Sequence, residues 1–508
     1  MQSAKKGILN VIYGLIGQVL VICLGIVLPR LVMVNFGSEV NGLINTVNQI
    51  FIYFSLLEAG VGLASLQALY GPVARENRDE IQAIMSATHR FYKKTGIIYG
   101  VAVVILALGF PFFVKSGITY GTIAGVILFG GFANCINFFY QGKYKILMQA
   151  EGYNYISINI TTLINVLANI AKAILIIAGC NILVVQFSYF VVNVLQMLIY
   201  SVYIKKNYSW IDFSAEPDNA AISQKNATLV HQISQMIFNN TDVLMLTLIT
   251  KDLKIVSIYT MYNMIITYAN VMIQQVENGF AFMLGQRYNT NKKEYYVLHH
   301  IFEILYMILV FAVMTSIYVL FLPFMRLYTA GITDIDYINS WYPLLFVLTP
   351  LLTYGRCAAN NLINYAGHFE QTKWRAILES VINITVSVIG IWKFGIFGAL
   401  MGTIVASLYR TNDIILYTYK HLMDENKPWK TYKRWAACLA VFIPVVVFVN
   451  NDSTRIASYG SILLYGAGIF VLTFAVYTLV QVLVNLKEAS TAKKMICDLL
   501  KRRKDGCL

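Results

Sequence analysis

Charge is what this sequence has least of. Only 13% of its 508 residues are Asp, Glu, Lys or Arg, about half the roughly 25% usual in a soluble domain. With 58% hydrophobic residues and a mean hydropathy of +0.62, this excludes a chain whose whole surface faces water. Acidic residues are scarcer than basic ones, 25 against 39, for a formal net charge of +14. Such a surplus can mark a nucleic-acid binder; its confinement to short links between apolar runs argues against one. The seven cysteines are scattered and form no CxxC pair, which leaves them as small apolar fillers rather than metal or redox sites. Gly142-Lys143 lacks the upstream Gly and the following Ser or Thr of a phosphate loop, so no ATP site is expected. There is no HExxH, and His299 and His300 read as interfacial residues at the start of a helix. No metal or cofactor site is expected.

What is present is a series of fourteen apolar runs, each near the roughly 20 residues that span a bilayer. They lie at about 8–34, 39–70, 95–114, 119–141, 156–178, 182–204, 227–250, 255–286, 296–325, 340–365, 376–392, 396–419, 435–449 and 459–486. The first, after Lys5 and Lys6, is too long for a signal-peptide core and lacks a small-residue cleavage site. Of the 39 Lys and Arg, twenty-nine fall in links on one side, six on the other, and four within helices. That bias places both termini in the cytoplasm. Even the longest outer link, near 327–339, is too short to fold as a catalytic domain.

A shift of about 216 residues superimposes parts of the chain. Lys145-Ile-Leu-Met-Gln-Ala-Glu-Gly-Tyr153 falls on Asn361-Leu-Ile-Asn-Tyr-Ala-Gly-His-Phe369, Gly179 falls on Gly395, and Asp242 corresponds to Ile26, one turn from Arg30. The shift spans six helices, so both halves insert in the same orientation. The expected fold is all-α and polytopic: two pseudo-symmetric six-helix bundles at 1–206 and 227–420, a cytoplasmic linker at 207–226, then two further helices and a basic tail at 421–508.

Polar residues inside spanning helices are costly and point to function by default. Asn41, Asn45 and Asn48 share one helical face, as do Gln232, Gln235, Asn239 and Asp242; a third helix adds Asn270, Glu277 and Asn278. They serve either hydrogen bonds between helices or a watery cavity. Arg30, Lys172, Arg356 and Arg410 are intramembrane cations, for which snorkelling and structural ion pairing compete with ligand binding. Glu58, Asp242 and Glu277 are candidates for proton or sodium coupling.

Pro29-Arg-Leu-Val-Met-Val-Asn-Phe-Gly-Ser-Glu-Val-Asn-Gly-Leu43, Leu56-Leu-Glu-Ala-Gly-Val-Gly-Leu-Ala-Ser-Leu-Gln67, Asn239-Asn-Thr-Asp242 and Asn361 to Phe369 resemble bacterial polysaccharide flippases. These are the Wzx-like members of the multidrug/oligosaccharidyl-lipid/polysaccharide (MOP) exporter superfamily, and the resemblance extends over the full length. It implies a two-lobe transporter, not an enzyme, in the bacterial cytoplasmic membrane. The implied substrate is an undecaprenyl-pyrophosphate-linked oligosaccharide, moved from inner to outer leaflet by alternating access. Membrane lipids, a polysaccharide polymerase and glycosyltransferases are the implied partners. Arg30, and with it Arg356 or Lys172, would hold the pyrophosphate. A multidrug exporter of the same superfamily is the nearest rival. A polymerase or glycosyltransferase needs larger outer loops than this chain has.

Overall fold

In a computed structural model of the chain, residues 22–58, 61–222, 226–449, 456, 458–491 and 494 are described. The first part of the first apolar run, Lys5 and Lys6, the side chain of Gln232 and the basic tail beyond residue 494 lie outside the described residues. All regular structure among the described residues is helical: α1 Ile22–Phe36, α2 Ser38–Phe54, α3 Val61–Ala74, α4 Arg78–Gly109, α5 Tyr120–Ile136, α6 Gly142–Ala150, α7 Asn154–Ile177 and α8 Ile182–Asn207. There follow α9 Asn226–Thr250, α10 Leu253–Thr290, α11 Lys292–Tyr328, α12 Tyr342–Gly355, α13 Cys357–Ala366, α14 Phe369–Phe394, α15 Ile396–His421, α16 Trp429–Phe448 and α17 Tyr459–Val484. Nine stretches among the described residues are long and apolar enough to cross a membrane. The chain is a multi-pass membrane protein. Helices α9, α10 and α15 and the broken pair α12–α13 are not among the nine; they carry Gln235, Asn239, Asn270, Asn278, Arg356 and Arg410.

Helix starts follow from short polar side chains that accept from otherwise orphaned N–H groups. Asn181 accepts from Val184 N at 2.9 Å, Asn291 from Glu294 N at 3.2 Å and Ser458 from Ser461 N at 3.2 Å. Several helices run beyond the apolar runs that mark them, two of them furthest. The run at 95–114 is the second part of α4, which begins at Arg78. The run at 119–141 continues past a wider, π-type turn at Asn137–Gln141 into α6. In both cases the added segment mixes charged and polar residues with buried apolar ones such as Ile84 and Leu147, so hydropathy alone stops short of the backbone hydrogen bonding.

Contacts divide the chain into two units, Met1–Thr260 with Gly331–Ile335, and Met261–Ala330 with Asp336–Leu508. The internal repeat is visible inside each. In the first unit the π-type turn precedes a short helix that ends at Gly152, φ 78°. In the second, the helical path breaks at Arg356, and a short helix follows that ends at Gly367, φ 70°. Gly179 and Gly395 likewise both have positive φ, 75° and 56°, where a side chain would be strained.

In the second unit α14 and α15 cross with backbones touching. A methyl group added at Gly398 would lie 1.9 Å from the Gly390 carbonyl carbon. Gly398→Ala is therefore expected to lower the melting temperature in detergent, at a cost of about 1–3 kcal/mol. Gly468→Ala, where nothing lies within 4 Å, is expected to be neutral or slightly stabilising, by about 0.5–1 kcal/mol.

Candidate functional site

Within the first unit, α2 packs beside α9 and the start of α10 through a polar seam. Asn41 donates to Ser257 Oγ at 2.7 Å, Thr46 meets Thr247 at 2.9 Å, Gln49 donates to Asn240 at 2.7 Å and Tyr53 meets Thr241 at 2.7 Å. Asn45 donates to the Asn41 carbonyl at 2.9 Å. Asn41 and Gln49 thus hold helices together, whereas Asn45 bonds within its own helix. Asp242, buried in α9, accepts from Tyr259 at 2.7 Å. Gln235 and Asn239 are exposed on α9, and Arg30 is half-buried on α1.

The next residue of the α2 stripe, Asn48, points elsewhere. It lines an open chamber of about 540 Å³ bordered by α2, α4, α5, the α5–α6 turn, α7 and α8. Ser55 and Glu58, at the end of α2, form its edge; Lys145 of α6 lies close enough to Glu58 for their charges to interact. Tyr92 of α4 donates a close hydrogen bond to Glu58. Asn134, Gln141, Asn165, Asn193 and Gln196 supply amides from four further segments. Tyr99 and Phe138, centroids 4.8 Å apart, form an aromatic wall. Lys172 sits outside this lining, with Nζ 4.0 Å from the centroid of Tyr189, itself a wall residue.

Of the sequence candidates, the chamber collects Asn48 and Glu58. It adds Lys145, which the sequence assigns to a link because the apolar run ends four residues earlier. The repeat offers the missing signal, since it pairs Lys145 with Asn361 on the short helix after each break. The chamber amides of α7 and α8 also carry a pattern: Thr161 and Asn165 are four apart, and Tyr189, Asn193 and Gln196 follow at four and three.

In the second unit the cations are gathered differently. Arg356, at the break between α12 and α13, donates to Glu379 of α14 at 2.9 Å. Arg410 of α15 lies 3.4 Å from the other Glu379 oxygen and donates to Asp413 at 2.8 Å. Arg375 pairs closely with the same Asp413. Three guanidiniums share two carboxylates, and Arg356 Nη1 is buried with no hydrogen-bond partner. Arg410 and Asp413, at i and i+3, are legible as a helix pair; Glu379 and Arg375 are not, because their partners come from other helices. Glu277 of α10 accepts from Tyr306 at 3.3 Å, as Glu58 accepts from Tyr92. Asn278 is exposed, and Asn270 is half-buried with its carbonyl oxygen lacking a partner.

His299, His300 and Glu303 bring three potential metal ligands together. The cluster fits a cation already present in the chain. Arg434, with 0% exposure, pairs closely with Glu303, lies 3.1 Å from His300 Nδ1 and donates to Asn485 at 3.2 Å. A metal ion would be repelled by that guanidinium.

No family profile matches the chain, and comparison with curated proteins finds no match. Solved structures do match. A lipid II flippase, MurJ, in an inward closed conformation is similar with a TM-score of 0.67 and 14% identity, over 94% of this chain and 100% of that one. The chain shares that structure's fold. A multidrug-resistance MATE transporter of the MOP superfamily, inward-facing, shares this fold with a TM-score of 0.58 and 12% identity, over 78% of this chain and 93% of that one. The MATE multidrug transporter DinF-BH gives 0.56 and 13%, over 82% and 95%.

Proposed function

We propose that this chain is a flippase that moves an undecaprenyl-pyrophosphate-linked oligosaccharide from the inner to the outer leaflet of the bacterial cytoplasmic membrane by alternating access. The observation that carries this reading is the amide-lined chamber within an apolar, multi-helix fold shared, over 94% of this chain, with a lipid II flippase. The physical task is to bring a hydrated, anionic head group through hydrocarbon, where an isolated ion costs tens of kcal/mol. Amides and paired charges at that depth replace the lost water. The surplus guanidinium charge around Arg356 supports an anion-holding role for that residue. Arg30 and Lys172 are the further cations proposed for the pyrophosphate, with Arg410 supporting Arg356 through Glu379.

The membrane potential assists. Two negative charges leaving a cell at about 100 mV gain roughly 4.6 kcal/mol, at about 2.3 kcal/mol each. Glu58, Asp242 and Glu277 are the proposed groups for proton or sodium exchange. A polymerase and glycosyltransferases would stand downstream and upstream of the flipped substrate. The multidrug reading is less well supported, because six amides and a Glu–Lys pair line the chamber, whereas a drug pocket is mostly apolar and aromatic.

Deleting the gene tests the proposal. Lipid-linked oligosaccharide is expected to accumulate on the cytoplasmic leaflet, detected by its resistance to a membrane-impermeant glycosidase or lectin. Unchanged leaflet distribution, with drug sensitivity increased instead, would sink the flippase reading in favour of the exporter.

A further inference from the structure

The chamber of the first unit carries an unusual combination of features. It is about 540 Å³, within the roughly 300–1,000 Å³ of small-molecule sites. Its charged groups, Glu58 and Lys145, are one of each sign and adjacent, so it offers no net charge to a pyrophosphate, which is bound by unneutralised cations. Its remaining polar lining is dominated by Asn and Gln. An amide donates and accepts at once, which matches the hydroxyl groups of a sugar, each also donor and acceptor. The Tyr99 and Phe138 rings give flat apolar faces suited to the C–H face of a pyranose. Tyr99 is 1% exposed, and its hydroxyl, although near Asn134, has no partner in hydrogen-bonding geometry. A buried hydroxyl in that condition is costly unless something completes it.

We propose that this chamber is a carbohydrate-recognition compartment: it takes neutral sugar units of the lipid-linked glycan, while the pyrophosphate is held by cations outside it. The assignment rests on the flippase reading. It makes the glycan itself, rather than the shared lipid pyrophosphate, the determinant of which substrate is accepted.

The probe is the oligosaccharide released by mild acid from the lipid-linked glycans that accumulate in a strain lacking the gene. Saturation-transfer NMR is run on it with the full chain in nanodiscs. Transfer to ring protons is expected. An Asn165→Leu/Asn193→Leu variant is expected to bind at least tenfold more weakly. Tyr99→Phe, which removes only that hydroxyl, is expected to weaken binding several-fold while the melting temperature holds or rises. Inorganic pyrophosphate in tenfold excess should not compete. Binding unchanged in both variants, full displacement by pyrophosphate, or no saturation transfer from a glycan that does accumulate would overturn the chamber assignment and leave the flippase reading intact. If no lipid-linked glycan accumulates, the flippase reading fails first and this assignment falls with it.

Discussion

Arg434→Ala is expected to be among the most destabilising single changes in this protein, by about 3–5 kcal/mol, the usual cost of removing one member of a buried ion pair. Arg434 is fully buried and pairs with Glu303 of α11, while its Nε reaches Asn485 beyond α17. Thr431 also donates to Glu303 at 2.5 Å, and Gln481 donates to the Arg434 carbonyl at 2.8 Å. Removing the guanidinium leaves the buried Glu303 carboxylate without its arginine and cuts one of the links that tie α16 and α17 to α11. A large drop in melting temperature in detergent, with selective proteolysis after α15, is the expected result. Replacing both charges, Arg434→Met with Glu303→Leu, should recover much of the loss, because paired burial can be exchanged for apolar packing at little cost. If the single and double variants melt alike, the ion pair is not what anchors the C-terminal helices.

Arg356→Met and Glu379→Leu are expected to differ sharply although the two residues are partners. After Arg356→Met, Glu379 keeps Arg410 at 3.4 Å, so no carboxylate is orphaned and the protein should fold normally. Under the flippase reading its transport should nevertheless fall by about ten- to a hundredfold, equivalent to losing a charge-assisted hydrogen bond of about 1.5–3 kcal/mol. After Glu379→Leu, Arg356 has lost its acceptor and Arg410 one of two, leaving Arg356 without a carboxylate while Arg410 and Arg375 share Asp413. That variant should lose about 3–5 kcal/mol of stability. Thermal melting and reconstituted lipid-linked oligosaccharide flipping, measured on both, separate a ligand-holding arginine from a merely structural one. A stable Arg356→Met protein with full transport would remove Arg356 from the substrate path.

The all-helical, multi-pass class is legible in the sequence because lipid enforces it: a run too short or too polar cannot close its backbone hydrogen bonds in hydrocarbon. The repeat is legible as well, since Gly179 and Gly395 recur where the chain needs positive φ. What hydropathy does not carry is the continuation of a helix through polar residues. Lys145 therefore reads as part of a link, although it lines the chamber on α6. The amide stripe on α2 is legible as a stripe, yet its members divide: Asn41 and Asn45 turn to neighbouring groups in the seam, and Asn48 faces the chamber. One-sided spacing fixes the face of a helix, and the packing partner decides whether that face is dry. Glu379 and Arg356 illustrate the remaining gap, because partners 23 positions apart on separate helices leave no periodic trace.

The crossing at Gly390 and Gly398 sets a mechanical limit on the second unit. With main chain pressed on main chain, α14 and α15 have no side-chain layer between them to slide over or repack there. They must travel as a single lever, so any rearrangement in this unit has to bend at joints elsewhere, of which the interrupted path at Arg356 and the left-handed turn at Gly367 are the nearest.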